Sequence, residues 1–315
     1  MNRREFLGGL GGLVAVSALP TWADDPTLFA GRGKYERLVL NYVNLKVGAT
    51  KPFSVLHISD THLTEAYPHE GEVLLQQKAK RAAIFGGRQE EALRDTLTWA
   101  KKNVDYVIHT GDLIDWQSEA NFDLVKKYCG EGFFGSLGNH EFKTVSATGY
   151  NETYDEAYKA KTAARLAAVY PFDISFHAQV INGVNFVTLD DVYGTVTPAQ
   201  VERFHAEVKK GLPIVLCMHV PFHTDATWRM TGRFWREANK KYATTAIPAP
   251  TSARKRQMED PLTRDFIAYL KSERLLCAIL CGHEHFTMQD RFSPTAMEYL
   301  VGGNFMFHGQ EVLFS

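Results

Sequence analysis

Five stretches of this 315-residue chain set polar, metal-capable side chains directly behind apolar runs. Phe53-Ser54-Val55-Leu56 leads into Asp60-Thr61-His62, and Tyr106-Val107-Ile108 into Gly111-Asp112-Leu113-Ile114-Asp115. Phe133 to Leu137 leads into Gly138-Asn139-His140-Glu141, Ile214 to Met218 into His219, and Ala278 to Cys281 into Gly282-His283-Glu284-His285. Each alone says little: Asp-x-His recurs by chance, Gly-Asp is mostly a turn, and two solvated histidines would account for His283 and His285. Together, in this order, strand ends that carry Asp, His and Asn can surround one site.

Such side chains need strands to bring them together. Arg37 to Val47, Phe53 to Ser59, Asp105 to His109, Phe133 to Leu137, Pro213 to Met218 and Leu275 to Cys281 read as strands. Asp173 to Val180 and Val184 to Leu189 flank Asn182-Gly183, a pair suited to a tight hairpin turn. Glu298 to Val301 and Glu311 to Phe314 read as late, short strands. Gln89 to Lys102 has helical spacing, with Ala92, Leu93, Thr96, Leu97 and Ala100 on one face. Glu152 to Val169 and Pro261 to Lys271 read as helices, and Thr197-Pro198-Ala199-Gln200 opens another with a cap and a capping box. The alternation predicts an α/β fold with two packed sheets and helices outside. Ligands of open α/β sheets gather beyond the carboxyl ends of strands. Gly111, Gly138 and Gly282 are expected to let the backbone turn sharply there.

The five motifs, spanning Asp60 to His285, resemble the calcineurin-like metallophosphoesterase superfamily, whose pattern is D-x-H, G-D-x-x-D, G-N-H-[DE], H, G-H-x-H. The resemblance implies a four-layer α/β/β/α sandwich of two mixed sheets flanked by helices. It implies two divalent ions, one held by Asp60, His62, Asp112 and His285, the other by Asp112, Asn139, His219 and His283, with Asp112 bridging. This implied set of carboxylate, imidazole and one amide, with no thiolate, suits Mn, Fe, Zn or Co and not a structural zinc. It places His140 over the site as proton donor. Glu141 stands where the family more often has Asp, and could orient His140; Asp115 is expected to support the site, not to ligate. Purple acid phosphatases carry a tyrosine after Gly-Asp and lack the histidine at position 62, so no tyrosinate-to-iron colour is expected here.

This set matches the demands of phosphoester hydrolysis. Two ions about 3.5–4 Å apart clamp the attacking and leaving oxygens and acidify a bridging water, so hydroxide attacks at neutral pH. A histidine titrates near working pH and can give the departing alkoxide its proton. Asp60-Thr61-His62-Leu63 with the Gly111 to Asp115 motif is similar to cyclic-nucleotide phosphodiesterases of the family, which inclines the reading to phosphodiesters. A phosphomonoesterase or nucleotidase on the same site is the alternative. A non-catalytic metal-binding scaffold is the other class, but relatives of that kind tend to lack the histidine retained here as His140.

Residues 221–260 form a basic, aromatic insertion with Trp228, Arg229, Arg233, Trp235, Arg236, Lys240, Lys241, Arg254 and Lys255, and with Pro248 and Pro250. Two readings stay open: a lid over the metals, or a solvated cationic loop. In the first, Arg229 and Arg233 would grip phosphate, Trp235 would stack on the organic part, and His223 would face the substrate.

Net charge is near zero, 35 basic against 36 acidic side chains, which gives no pull toward nucleic-acid polymers or anionic membranes. Arg3-Arg4 before Phe6-Leu7, an apolar stretch from Leu10 to Leu19, and Ala23 after Trp22 resemble a twin-arginine signal cut after Ala23. The stretch is short for a stable membrane anchor, which takes about 20 residues. The expectation is export by the twin-arginine machinery to the periplasm or beyond, with residues 24–315 as a single domain acting on a small-molecule phosphoester. The four cysteines form no CxxC pair; they read as buried apolar residues, with a Cys217–Cys281 bridge possible but not predicted.

Overall fold

Strand periodicity explains the core directly. In β2 (Phe53–Ile58), Phe53 and Val55 point to one side and Leu56 and Ile58 to the other, and all four are buried. In β9 (Ile214–Cys217), Val215 and Cys217 share the cluster of Phe53 and Val55, while Ile214 and Leu216 face a third cluster. Strands covered on both faces read as continuous apolar runs, which is why they were visible in the sequence. In the computed structural model, residues 37–130, 132–151, 156–242 and 256–315 are described, without the side chains of 236–242. Residues 1–23, read above as an export signal, and the prolines and basic residues between 243 and 255 lie outside the described residues.

The first sheet has the order β1 (Val39–Leu45), β13 (His308–Phe314), β2, β3 (Tyr106–Thr110), β4 (Phe133–Ser136). The second runs β11 (Met288–Arg291), β12 (Met297–Leu300), β10 (Leu276–Cys281), β9, β8 (Val184–Leu189), β7 (Phe176–Ile181). Both are mixed: β2, β3 and β4 are parallel while β13 is antiparallel to β2, and β8, β9, β10 and β12 are parallel between antiparallel edges. Phe53, Val55, Ile108 and Phe134 of the first sheet meet Phe186, Val215, Ala278 and Leu280 of the second in the central layer.

Helices close both outer faces. Leu93 and Trp99 of α2 (Gln89–Asn103), Phe122 and Val125 of α3 (Glu119–Tyr128), and Leu166 of α4 (Glu156–Ala167) cover the first sheet. Phe204 of α5 (Pro198–Val208) and Phe266 and Leu270 of α7 (Pro261–Ser272) cover the second. The result is the four-layer α/β/β/α sandwich. Thr197 caps α5, and Gln200 completes the capping box. Among the described residues, no helix is long and apolar enough to cross a membrane.

Besides α3, which the sequence reading did not include, two helices differ from the sequence expectation. The first, α1 (Glu72–Phe85), buries only Gln77 and Phe85 and so shows no apolar stripe to read. The second, α6 (Asp225–Tyr242), occupies much of the insertion expected to be irregular. Thr224 starts it: its hydroxyl accepts from the Thr227 N–H at 3.0 Å, and its carbonyl from the Trp228 N–H at 3.0 Å. A Thr-x-x-Thr cap signal was there, masked by the charge that follows. All four cysteines are free thiols. Cys217 pairs in register with Leu280, so Cys281, one residue on, faces the opposite side of the sheet, and a bridge is geometrically excluded.

Candidate metal centre

Parallel pairing brings the motif loops together. In-register β2, β3 and β4 end side by side, and the chain beyond β2 stays tied to its neighbour: Asp60 N–H donates to Gly111 O and His62 N–H to Asp112 O, both at 2.9 Å. The second sheet joins through Gly282 N–H to His219 O at 3.1 Å. His219 Nδ1 lies 2.7 Å from Thr110 O, which ties one sheet's loop to the other's.

The sharp turns are made mainly by the functional residues themselves. Asp60, His62, Asp112, His283 and His285 all have φ between 52° and 69°, in the left-handed region. Non-glycine residues held there cluster at functional sites because the surroundings over-determine them. Of the three glycines expected to turn the chain, only Gly111 has positive φ, at 96°. Gly138 and Gly282 are needed for room instead: a Cβ at Gly138 would collide with the Asp112 carboxylate, and one at Gly282 with Ser59 Oγ and Asp60 Oδ2.

The side chains converge in two groups that share an edge. Asp60, His62 and His285 form one and Asp112, His219 and His283 the other, with ligand-capable atoms within 4.8 Å of one another in each. His62 Nε2 and His285 Nε2 are 3.1 Å apart, as are His219 Nε2 and His283 Nδ1. Asp112 Oδ2 reaches both sides, 3.3 Å from His219 Nε2 and 3.7 Å from His62 Nε2. A third group of His62, Asp112 and His140 overlaps these. His140 has both ring nitrogens engaged, Nδ1 with Asp115 Oδ1 at 2.6 Å and Nε2 with Lys143 Nζ at 2.9 Å.

The site fits cations on a direct structural test. Asp60 Oδ1 and Asn139 Oδ1 are buried with no hydrogen-bond partner. Such orphans are costly unless something binds them. His62 Nδ1 is 2.9 Å from Asp115 Oδ1, so its N–H donates there and Nε2 is left as a bare lone pair facing His285. His219 Nδ1–H donates to Thr110 O in the same way.

Electrostatics point the same way. Burial would raise Asp60 and Asp112, but His285 for the first and His219 for the second hold them well below the usual carboxylate range. Burial pulls His219 down, yet the Asp112 and Asp60 carboxylates push it up to about 10. Burial lowers His62 to about 4 and His283 to about 3.

Glu141 does not touch His140, which corrects the sequence expectation. Its carboxylate turns back under the loops and accepts from the N–H groups of Asp112 at 2.9 Å, Leu113 at 2.6 Å, Ile114 at 3.2 Å and Gly138 at 2.8 Å, and from Tyr170 Oη at 3.2 Å. Burial and the Asp112 charge push Glu141 up to about 8, but five donors on two oxygens leave no place for a proton. Asn139 Oδ1 is buried and unpartnered, while Glu141 clamps the base of the loops. The residue that orients His140 is Asp115.

The insertion residues divide. Trp235 on α6 donates its indole N–H to Glu284 Oε2 at 3.1 Å, and its ring lies 5.5 Å from that of His285. Arg229 and Arg233 are exposed on the same helix. His223 Nε2 lies 3.6 Å from Asp225 Oδ1 at the helix entrance, and its N–H donates to Gln257. Sequence reasoning missed Phe85, stacked on His62 with centroids 4.4 Å apart, and Phe305, 5.2 Å from His285. It also missed Asn304, whose N–H donates to Ser59 O at 2.8 Å and ties the C-terminal turn to the first motif. None of these carries a local sequence signal.

The sequence model of the family described as calcineurin-like phosphoesterase matches residues 53–286. No curated protein matches the chain. Among solved structures it is similar to a dimetal phosphatase from Danio rerio, at 14% identity over 82% of this chain and 91% of that one, TM-score 0.46. It is also similar to a purple acid phosphatase from yellow lupin seeds (12% identity, 81% of this chain, 44% of that one, TM-score 0.43). A 5′-nucleotidase from Candida albicans is similar at 13% identity over 85% of this chain and 47% of that one, TM-score 0.39. The chain spans under half the length of the latter two.

Proposed function

The chain belongs to the calcineurin-like phosphoesterase family of metal-dependent phosphoester hydrolases, and on that premise we propose a binuclear centre in which Asp60, His62, Asp112 and His285 hold one divalent ion and Asp112, Asn139, His219 and His283 a second. The observation that carries this is the pair of orphaned buried oxygens, Asp60 Oδ1 and Asn139 Oδ1, one in each set. When bound, such ions supply positive charge to phosphoryl oxygens and lower the pKa of a water. The protein's own groups do the rest. Asp112 faces both sets and keeps them in one place. His140, its Nδ1–H held by Asp115, offers Nε2 toward the leaving group as proton donor. Lys143 lies on that nitrogen at 2.9 Å; an arriving phosphoryl oxygen would draw the ammonium toward itself and free Nε2 to take up from water the proton that it then gives to the leaving group.

The preferred substrate is a phosphodiester, on the likeness of the first two motifs to cyclic-nucleotide phosphodiesterases. One observation favours phosphomonoesters instead: an ammonium this near His140 would gain more from a dianion. Helix α6, docked through Trp235 against Glu284, would cover the His285 side and offer its indole to the organic group. Export by the twin-arginine route, with folded and metal-loaded protein crossing the membrane, completes the reading.

The test is elemental analysis of the native protein together with p-nitrophenyl phosphate, its bis ester and a nucleotide panel. About two ions per chain and faster diester turnover are expected, with Asp112→Asn losing metal and activity together. Faster monoester turnover would select the second substrate class. Metal-replete protein inert on every phosphoester would overturn hydrolysis and leave a scaffold.

A further inference from the structure

The buried carboxylate of Asp115 has more partners than support of one histidine requires. Its Oδ1 lies 2.9 Å from His62 Nδ1 and 2.6 Å from His140 Nδ1. Arg81 grips it in a fork, Nε to Oδ2 at 2.6 Å and Nη2 to Oδ1 at 3.0 Å, and Tyr150 Oη donates to Oδ2. Arg81 comes from α1 and Tyr150 from the hairpin of β5 (Thr144–Ser146) and β6 (Gly149–Asn151), elements outside both sheets. The guanidinium also lies over two rings, 4.8 Å from the Phe85 centroid and 5.1 Å from that of Tyr150. Phe85, one helical turn beyond Arg81, stacks on His62 at 4.4 Å. Thus α1 holds His62 twice, by its ring face and through the carboxylate on its Nδ1.

We propose that Arg81 and Tyr150 are positioning residues for the reaction, fixing the plane of Asp115 so that one oxygen orients both the metal-facing His62 and the proton donor His140. A carboxylate can rotate about its Cβ–Cγ bond; a bidentate guanidinium on one edge and a phenol on the far oxygen remove that freedom. The inference rests on the reading of His140 as proton donor. Loss of the fork leaves His140 present but misaimed, so the defect falls on leaving groups that need a proton.

The experiment uses the full, metal-loaded protein with Arg81→Met, Arg81→Lys, Tyr150→Phe and His140→Ala, each on one ester with a p-nitrophenolate leaving group and one with an alkoxide. Metal content and melting temperature are recorded alongside. Arg81→Met is expected to lower kcat on the alkyl ester by about 10–100-fold, as removal of an orienting partner does. With metal at saturation the p-nitrophenyl ester should lose much less, and Arg81→Lys should recover part of the loss. Tyr150→Phe removes only a hydroxyl, keeps the test open if Arg81→Met fails to fold, and should show the same selectivity more weakly. Equal losses on both esters in the Arg81 or Tyr150 variants, while His140→Ala discriminates, would overturn this inference and leave the proton donor standing. No discrimination by His140→Ala would remove the proton donor, and this inference with it.

Discussion

His219 Nε2 lies 3.3 Å from Asp112 Oδ2, and in the absence of metal the two form a buried ion pair. The neighbouring Asp112 and Asp60 carboxylates outweigh burial and hold the His219 imidazolium up to about 10, from an ordinary 6.5. A ligand must be neutral, so metal uptake near neutral pH displaces that proton. Apparent metal affinity should therefore rise with pH, by about tenfold per unit from this one proton, and level off near 10. Calorimetry in buffers of different ionisation heat would count the proton; uptake independent of pH would refute the pairing.

The same pair shapes the stability of chelated protein. Because the folded pKa of His219 is raised, its stabilisation is fully present below 6.5 and lost as pH rises through about 10. His62, His57, His109 and His283 run the other way: burial lowers them to between about 3 and 4, so stability falls as pH drops below 6.5 and the unfolded chain takes up protons. Chelated protein should melt highest near pH 6.5 and lower on both sides, while metal-loaded protein keeps its melting temperature on the alkaline side. A chelated form whose stability climbs steadily to pH 10 would contradict this.

Glu141→Gln tests the corrected role of that carboxylate. The amide nitrogen would face N–H groups it cannot accept from, leaving at least two buried donors unmatched. A loss of about 3 kcal/mol is expected, since bonds to a buried charge contribute about 1.5–3 kcal/mol each and partial compensation follows. The melting temperature should fall by about 6–12 °C for a domain of this size. Dependence on leaving group should stay as in the unaltered protein, because Glu141 does not touch His140. A variant of unchanged stability that turned selective against alkyl esters would restore the orienting role.

The sandwich was legible because its strands are buried on both faces and carry their chemistry at one end, as Tyr106 to Asp112 shows. The candidate ligands were legible for the same reason: each stands immediately beyond a strand. What stayed hidden depends on direction and distance along the chain. Adjacency suggested that Glu141 serves His140, but consecutive loop residues point apart, and Asp115, twenty-five positions away, does so. Arg81 sits on a helix with no apolar stripe because that helix lies over the site and not over the core. The glycines were read as turn-makers, yet apart from Gly111 the turns belong to Asp60, His62, Asp112, His283 and His285; positive φ is uncommon at any non-glycine residue, although Asp and His enter that region more readily than most.

Gly282 and Gly232 separate these two uses of glycine. At Gly282 an added Cβ would stand 2.5 Å from Asp60 Oδ2 and collide with Ser59 Oγ, both buried and fixed by their own loops. Neither can give way, because Asp60 Oδ2 accepts from His283 N–H at 2.9 Å and Ser59 Oγ donates to Thr110 O at 3.1 Å. Gly282→Ala should therefore push Asp60 away from His285 and lose metal, even where the fold survives. Gly232 lies within α6, and a Cβ there meets nothing within 4 Å. Its replacement by alanine should leave metal content unchanged and stabilise by about 0.5–1 kcal/mol, the usual gain in a helix interior. Metal analysis and melting curves on the two variants suffice. Full metal occupancy in Gly282→Ala would mean that Asp60 is not held where the site requires it.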